Sequence, residues 1–226
     1  MGTAVLSAFE NHSVSGLVRQ GLAGEPVPAG LATGIRAIDS LLPGGGLPEG
    51  RITELVGRRS AGKLSLALAF AARVMARGEA AALLDPEATV LPDVRAEPAL
   101  AHLLVVRGGG TLVALRAADA LLKTGAFPLL VLDLPGRATV APDGRSISTA
   151  MFVRLAREER ASGTALVVVS EWLPWRVNGL ASLVSLRLEV RRPCRPSGCS
   201  ALEVVVAKSK LGGEGGRAAV DLEVGS

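Results

Sequence analysis

A strand-like run, Arg51-Ile52-Thr53-Glu54-Leu55-Val56, passes straight into Gly57-Arg58-Arg59-Ser60-Ala61-Gly62-Lys63, and an apolar helical stretch continues from Lys63 to about Arg77, closed by Gly78. No other feature restricts the fold as tightly. The spacing G-x-x-x-x-G-K between a strand and a helix describes a loop that cradles phosphate. Its glycines let backbone N–H groups wrap the anion, the helix N-terminus adds partial positive charge, and the lysine places a point charge on the outer phosphates. The pattern calls for Ser or Thr next, because that hydroxyl holds the magnesium bridging the outer phosphates, yet residue 64 is leucine. Leucine offers no ligand. Ser65 follows, but one step along a helix turns a side chain by about 100°, so it is expected to point away from the metal position. Arg58 and Arg59 can offset phosphate charge, and they also crowd the loop. Residues 57–65 therefore read either as a degenerate nucleotide site or as a turn kept for the fold.

The remaining pattern alternates strands with helices. Ala80 to Leu84 and Leu103 to Val106 are short buried strands, with Pro86, Pro92 and Pro98 breaking the chain between them. A helix is expected over Thr111 to Thr124, and another, amphipathic, over Ser148 to Ser162. Leu129-Leu130-Val131-Leu132-Asp133 is a continuous apolar run ending in an acid, as in a central parallel strand whose C-terminal end faces a site. Ala165 to Ser170 is a further buried strand, and Leu183 to Arg191 pairs with Leu202 to Ala207 around a cysteine-bearing turn. This predicts an α/β fold: a phosphate-loop core with a mostly parallel twisted sheet, helices on both faces and an antiparallel C-terminal extension. Residues 1–30, rich in glycine and proline, read as an N-terminal arm, and 31–226 as the core domain.

Two further acids bear on chemistry. Asp133 stands where a metal-organising carboxylate would sit. Glu87, just beyond the strand ending at Asp85, stands where a water-orienting carboxylate could reach the outer phosphate. A strand-ending acid can equally be a helix cap or a solvated loop residue.

Composition narrows the partners. The 226 residues carry 25 basic and 21 acidic side chains, a net charge of +4, and the arginines are dispersed instead of gathered into the stripe that marks a nucleic-acid footprint. Aromatic residues make up 3% of the chain with no tyrosine, so base-stacking platforms are scarce. Cys194 and Cys199 flank a turn, and with only His12 and His102 elsewhere a structural zinc, which needs four ligands, is not expected. No apolar run reaches the roughly 18 residues that span a membrane, so a cytoplasmic location is expected, with no membrane partner.

With strand, loop and acids in order, residues 33 to about 224 resemble a RecA core, beginning at Thr33-Gly34 and Gly46-Leu47-Pro48-Glu49-Gly50-Arg51-Ile52-Thr53-Glu54. The resemblance makes Gly57, Gly62 and Lys63 the phosphate-loop residues, Glu87 the catalytic glutamate and Asp133 the Walker B acid. It puts Glu171 in the place of a sensor glutamine, and makes Lys208 and Lys210 the lysine pair that reaches a neighbouring protomer. Departures accompany it: Leu64, Val94 where the family stacks a tyrosine on adenine, and Trp172-Leu173-Pro174-Trp175 in place of a glycine-rich DNA loop. Trp172 and Trp175 can form a partner-binding patch or a plug filling the vacated space.

A short RecA-like core with these losses is similar to the ImuA group of RecA-related proteins. That resemblance implies a non-hydrolysing accessory role in the SOS response, in translesion synthesis and mutagenesis. It implies contacts with RecA, with ImuB and through it with the error-prone polymerase complex, weak or indirect contact with DNA, vestigial Glu87 and Asp133, and no cofactor. The alternative is an active DNA-dependent ATPase using ATP and magnesium in recombination or repair signalling. A division inhibitor is a third possibility that no residue argues for directly.

Overall fold

Apolar residues fill both faces of the central strands, and successive residues go to different cores. The computed structural model describes residues 27–90, 101–134, 149–171, 180–195, 198–199 and 201–221. In chain order the elements are β1 (Gly30–Leu31), α1 (Arg36–Asp39), β2 (Leu47–Pro48), β3 (Ile52–Gly57), α2 (Lys63–Met75), β4 (Ala81–Asp85), β5 (Leu103–Arg107), α3 (Gly110–Thr124) and β6 (Leu129–Asp133). There follow α4 (Thr149–Ser162), β7 (Ala165–Glu171), α5 (Leu180–Leu183), β8 (Leu186–Arg191), β9 (Cys194–Arg195), β10 (Gly198–Cys199), β11 (Leu202–Ser209) and β12 (Arg217–Val220).

Eight strands form one sheet in the order β12-β11-β8-β3-β7-β6-β4-β5. Pairings from β8 to β5 are parallel, and β11 and β12 extend the other edge antiparallel. This is the helix-flanked, mostly parallel sheet expected from the sequence. Along β6, Leu129 and Val131 join Leu66, Phe70 and Val74 of α2 in one core, while Leu130 and Leu132 join Leu115 and Leu122 of α3 and Phe152 of α4 in the other. The two-residue period of a strand thus buries both faces, which is why these runs lack polar alternation.

Several features depart from the sequence reading, among them β5, expected to be buried but standing at the sheet edge with Leu104 exposed. The run Leu183 to Arg191 is not one strand: a helical turn, α5, comes first and β8 begins at Leu186. Leu180 and Val184 are buried in the core under α3 and α4, so the apolar residues there serve the turn as well as the strand. β12 was not anticipated, because four residues with alternate burial give too short a pattern, and β11 runs two residues further than expected, to Ser209. Gly30 and Leu31, at the junction of arm and core, pair with Pro48 and Leu47. Residues 1–26, Val94, Trp172 and Trp175 lie outside the described residues.

One polar cluster crosses the middle of the sheet. Glu54 of β3 is buried, accepts a hydrogen bond from Ser170 Oγ of β7 at 2.8 Å and is paired with Arg187 Nε of β8 at 2.6 Å. A buried carboxylate so satisfied holds three neighbouring strands in one register, and removing its cation leaves a charge without compensation. Arg187→Ala is expected to lower unfolding stability by about 2 kcal/mol, below the fully buried limit because the guanidinium is partly exposed. Urea unfolding measures it. A loss no larger than that of a surface arginine would show that the pair does not hold the sheet.

Candidate functional site

Register brings the acids together. β4, β6 and β7 are parallel neighbours, and Asp85, Asp133 and Glu171 are each the last residue of their strand. All three fall at positions in phase with residues of the α2-side core: Leu83 before Asp85, Val131 before Asp133 and Val169 before Glu171. The carboxylates therefore converge at the C-terminal edge of the sheet beside the loop between β3 and α2. That edge is where a parallel α/β sheet places its ligands. A cleft of about 940 Å³ opens there, and its walls include Lys63, Glu87, Asp133, Glu171 and Arg192.

The loop is shaped by two close approaches. A Cβ at Gly57 would stand 2.3 Å from the Val190 carbonyl oxygen of β8, so only glycine fits. Gly62 has φ +92°, and a Cβ there would lie 2.8 Å from the Leu202 side chain of β11. Ser60 also takes a left-handed conformation, φ 59°, sparsely populated for a residue with a Cβ. Lys63 is buried at the start of α2, and its Nζ donates to the carbonyls of Gly57 at 3.0 Å and Arg58 at 2.7 Å. Burial pushes the Lys63 ammonium down from its usual value, while Glu171 and then Asp133 oppose that shift. Burial pushes the Asp133 carboxyl up to about 6, with Asp85 adding to the shift and Lys63 opposing it.

Asp85 supports the site in a way that the sequence reading passed over. It is wholly buried and accepts hydrogen bonds from the Thr89 backbone N–H at 3.0 Å, the Thr89 hydroxyl at 3.3 Å and the Val90 N–H at 2.9 Å. Arg107 of β5 braces the same turn, with Nε 3.7 Å from Asp85 and a hydrogen bond to the Val90 carbonyl. The turn carries Glu87, exposed, on the wall of the cleft. The signal was present in Asp85-Pro86-Glu87-Ala88-Thr89, since an Asp side chain that captures N–H groups a few residues on is a turn-forming device.

For a phosphate, the loop fits: two glycines without room for a side chain, a helix starting at Lys63 and a buried ammonium. For magnesium, the ligand set falls short. Leu64 lines the cleft where the hydroxyl belongs and packs against the α2-side core. No group of three or more His, Cys, Asp or Glu side chains among the described residues is disposed to hold a metal ion. Ser65 needs correction, since it is exposed and also borders the cleft instead of turning wholly away. Arg58 and Arg59 are exposed, and Arg59, Ser60 and Ala61 contribute to the cleft wall.

Both members of the lysine pair make hydrogen bonds within their own chain. Lys208 Nζ donates to the Ala181 carbonyl at 2.7 Å and Lys210 Nζ to the Ser182 carbonyl at 2.6 Å, so both cap α5 of their own chain. Free carbonyls at the end of a helical turn attract ammonium groups for reasons of local charge alone. Burial, then the neighbouring Lys210 and Arg187, hold the Lys208 ammonium below its usual value.

Comparison with known proteins agrees with this geometry. The family described as the RecA N-terminal domain matches residues 7–151. Protein RecA of Cutibacterium acnes is 33% identical over 135 residues, which are 59% of this chain and 39% of that protein. Protein RecA of Mycolicibacterium gilvum is 36% identical over 132 residues, 58% of this chain and 38% of the relative. Protein RecA of Lactiplantibacillus pentosus is 34% identical over 136 residues, 59% of this chain and 36% of the relative. The matched stretch thus spans less than half the length of each. No described helix is long and apolar enough to cross a membrane.

The raised pKa of Asp133, about 6, has a stability consequence of definite sign. The folded chain holds a proton that the unfolded chain releases, so stability falls as pH rises from the unfolded carboxyl value of about 4 through the folded one. Asp133→Asn is expected to stabilise the protein by about 1 kcal/mol at neutral pH, and not at a pH near 4, in urea unfolding. Glu159, which burial pushes up to about 9, has the same sign but is present in both proteins and cancels in the difference. A gain equal at both pH values would remove Asp133 titration as its cause.

Proposed function

This chain belongs to the RecA family, and from that premise we propose that it works as a non-hydrolysing accessory protein of DNA-damage-induced, error-prone translesion synthesis, a RecA-related protein of the ImuA kind. On this reading it takes no cofactor and acts in the cytoplasm by contact with RecA and ImuB, and through ImuB with the error-prone polymerase complex. Its contact with DNA is weak or indirect. The observation that carries the reading is Leu64, an apolar side chain packed against the core where a magnesium hydroxyl would have to stand. Without that ligand, a metal-bridged triphosphate loses the protein contact that joins its cation to the loop. One further feature is compatible with it: Lys63 Nζ is satisfied by carbonyls of its own loop.

A second reading has its own support. Lys63, Glu87 and Asp133 line one cleft, as a working ATPase requires, with Ser65 or a water in place of the missing ligand, and with ATP and magnesium as cofactors.

Calorimetry separates the two. ATP is expected to bind the parent protein no more tightly with magnesium than with chelator, whereas Leu64→Thr should strengthen magnesium-dependent binding by about tenfold. ATP turnover at a rate comparable with RecA on single-stranded DNA would sink the accessory reading and favour the ATPase.

A further inference from the structure

The outer side of the phosphate loop carries a second concavity, separate in its chemistry from the acid-lined cleft. A groove of about 600 Å³ runs between the loop and the end of β8. Its floor is apolar, formed by Ala61, Val190 and Pro193, and its rim carries Arg58, Arg59, Arg191 and Arg192. Two acids also line it, and both are already matched. Glu189 receives both Nε and Nη2 of Arg191, at 2.8 and 2.7 Å, and Glu203 lies 3.8 Å from Arg217. Arg58 and Arg59 are exposed, and neither has an ion pair among the described residues. The groove therefore presents uncompensated guanidinium charge beside an apolar floor.

Packing shapes the loop beneath these arginines: Gly57 sits against the Val190 carbonyl of β8, and Gly62, at φ +92°, beside Leu202 of β11. Arginines displayed on such a loop match the planar, two-oxygen geometry of carboxylates with little ordering cost. Single-stranded nucleic acid also offers anions, but it draws affinity from stacking on aromatic rings, and no aromatic residue lines this groove. An aliphatic anchor with flanking carboxylates fits both the floor and the rim.

We propose that this groove is a docking site for an acidic peptide segment of a partner protein, seated by an aliphatic side chain on the Ala61–Val190–Pro193 floor and by carboxylates on Arg58 and Arg59. The proposal rests on the accessory reading for the existence of a partner. It involves no nucleotide, and Arg58 lines the groove but not the acid-lined cleft.

The test is panning of a phage-displayed random dodecapeptide library on the full chain without nucleotide, with counter-selection on the Arg58→Glu, Arg59→Glu double variant. Circular dichroism melting first establishes that the double variant remains folded, and Arg58→Glu alone serves if it does not. Clones retained only by the parent are expected to be net acidic with aliphatic residues. A synthetic copy of such a clone should lose about tenfold in affinity on Arg58→Glu, and again when its aliphatic residues become serine. Failure to enrich acidic clones, or enrichment of neutral or basic ones, overturns the proposal. So does displacement of the peptide by an oligothymidylate whose own binding depends on the same arginines, which would make the surface a nucleic-acid site. Failure here together with absence of magnesium-dependent turnover removes the groove and leaves the accessory reading in place.

Discussion

The contact between Gly57 and the Val190 carbonyl governs much of what this molecule can do. At 2.3 Å from the place a Cβ would occupy, that oxygen excludes every residue but glycine at the end of β3. β8 is thereby held tight against the strand that launches the loop, in the parallel register that pairs Val56 with Glu189. From this follow the path of the loop, the seating of Gly62 against Leu202 and the start of α2 at Lys63. Burial of Glu54 between Ser170 and Arg187 ties β3 to β7 and β8 from the opposite face of β3. A sheet pinned on both faces is a suitable base for a loop that must hold an unusual backbone conformation at Ser60.

The inner side of that loop is a balance of opposed charges. Lys63 faces the field of Glu171 and Asp133, while Asp85 and Glu87 press on Asp133 from the neighbouring strand end. In a metal-using site, such a surplus of carboxylates is offset by a divalent cation. Here residue 64, next to the loop lysine, is hydrocarbon, and Asp133 is raised to about 6, first by burial and then by the neighbouring Asp85.

Most of the architecture was legible in the sequence because each strong signal is local. The apolar runs at Leu129 to Asp133 and Ala165 to Ser170 are buried on both faces, and the glycine loop announces the strand before it and the helix after it. What was missed depends on contacts distant in sequence. Lys208 and Lys210 find α5 carbonyls 27 and 28 residues away, a pairing no spacing rule encodes. β12 exists because the turn at Gly212 to Gly216 returns it to β11, and its four residues show no pattern strong enough to stand alone. Asp85 lay between: its turn chemistry was readable, but its burial, and hence its hold on the segment carrying Glu87, needed Arg107 from the adjacent strand.

The two sides of the phosphate loop share Arg59, Ser60 and Ala61 but differ at positions 64 and 58. Position 64 is the start of a helix and faces the acid-lined cleft, so leucine there removes a metal ligand while gaining contact with the α2-side core. Position 58 faces only the outer groove, where arginine adds charge without entering the cleft. Gly57 and Gly62 pack against β8 and β11 regardless of any nucleotide, so packing alone can hold the shape of the loop. The two glycines of G-x-x-x-x-G-K are accounted for by packing against Val190 and Leu202 as well as by phosphate binding, so the motif by itself does not distinguish an enzyme from a scaffold.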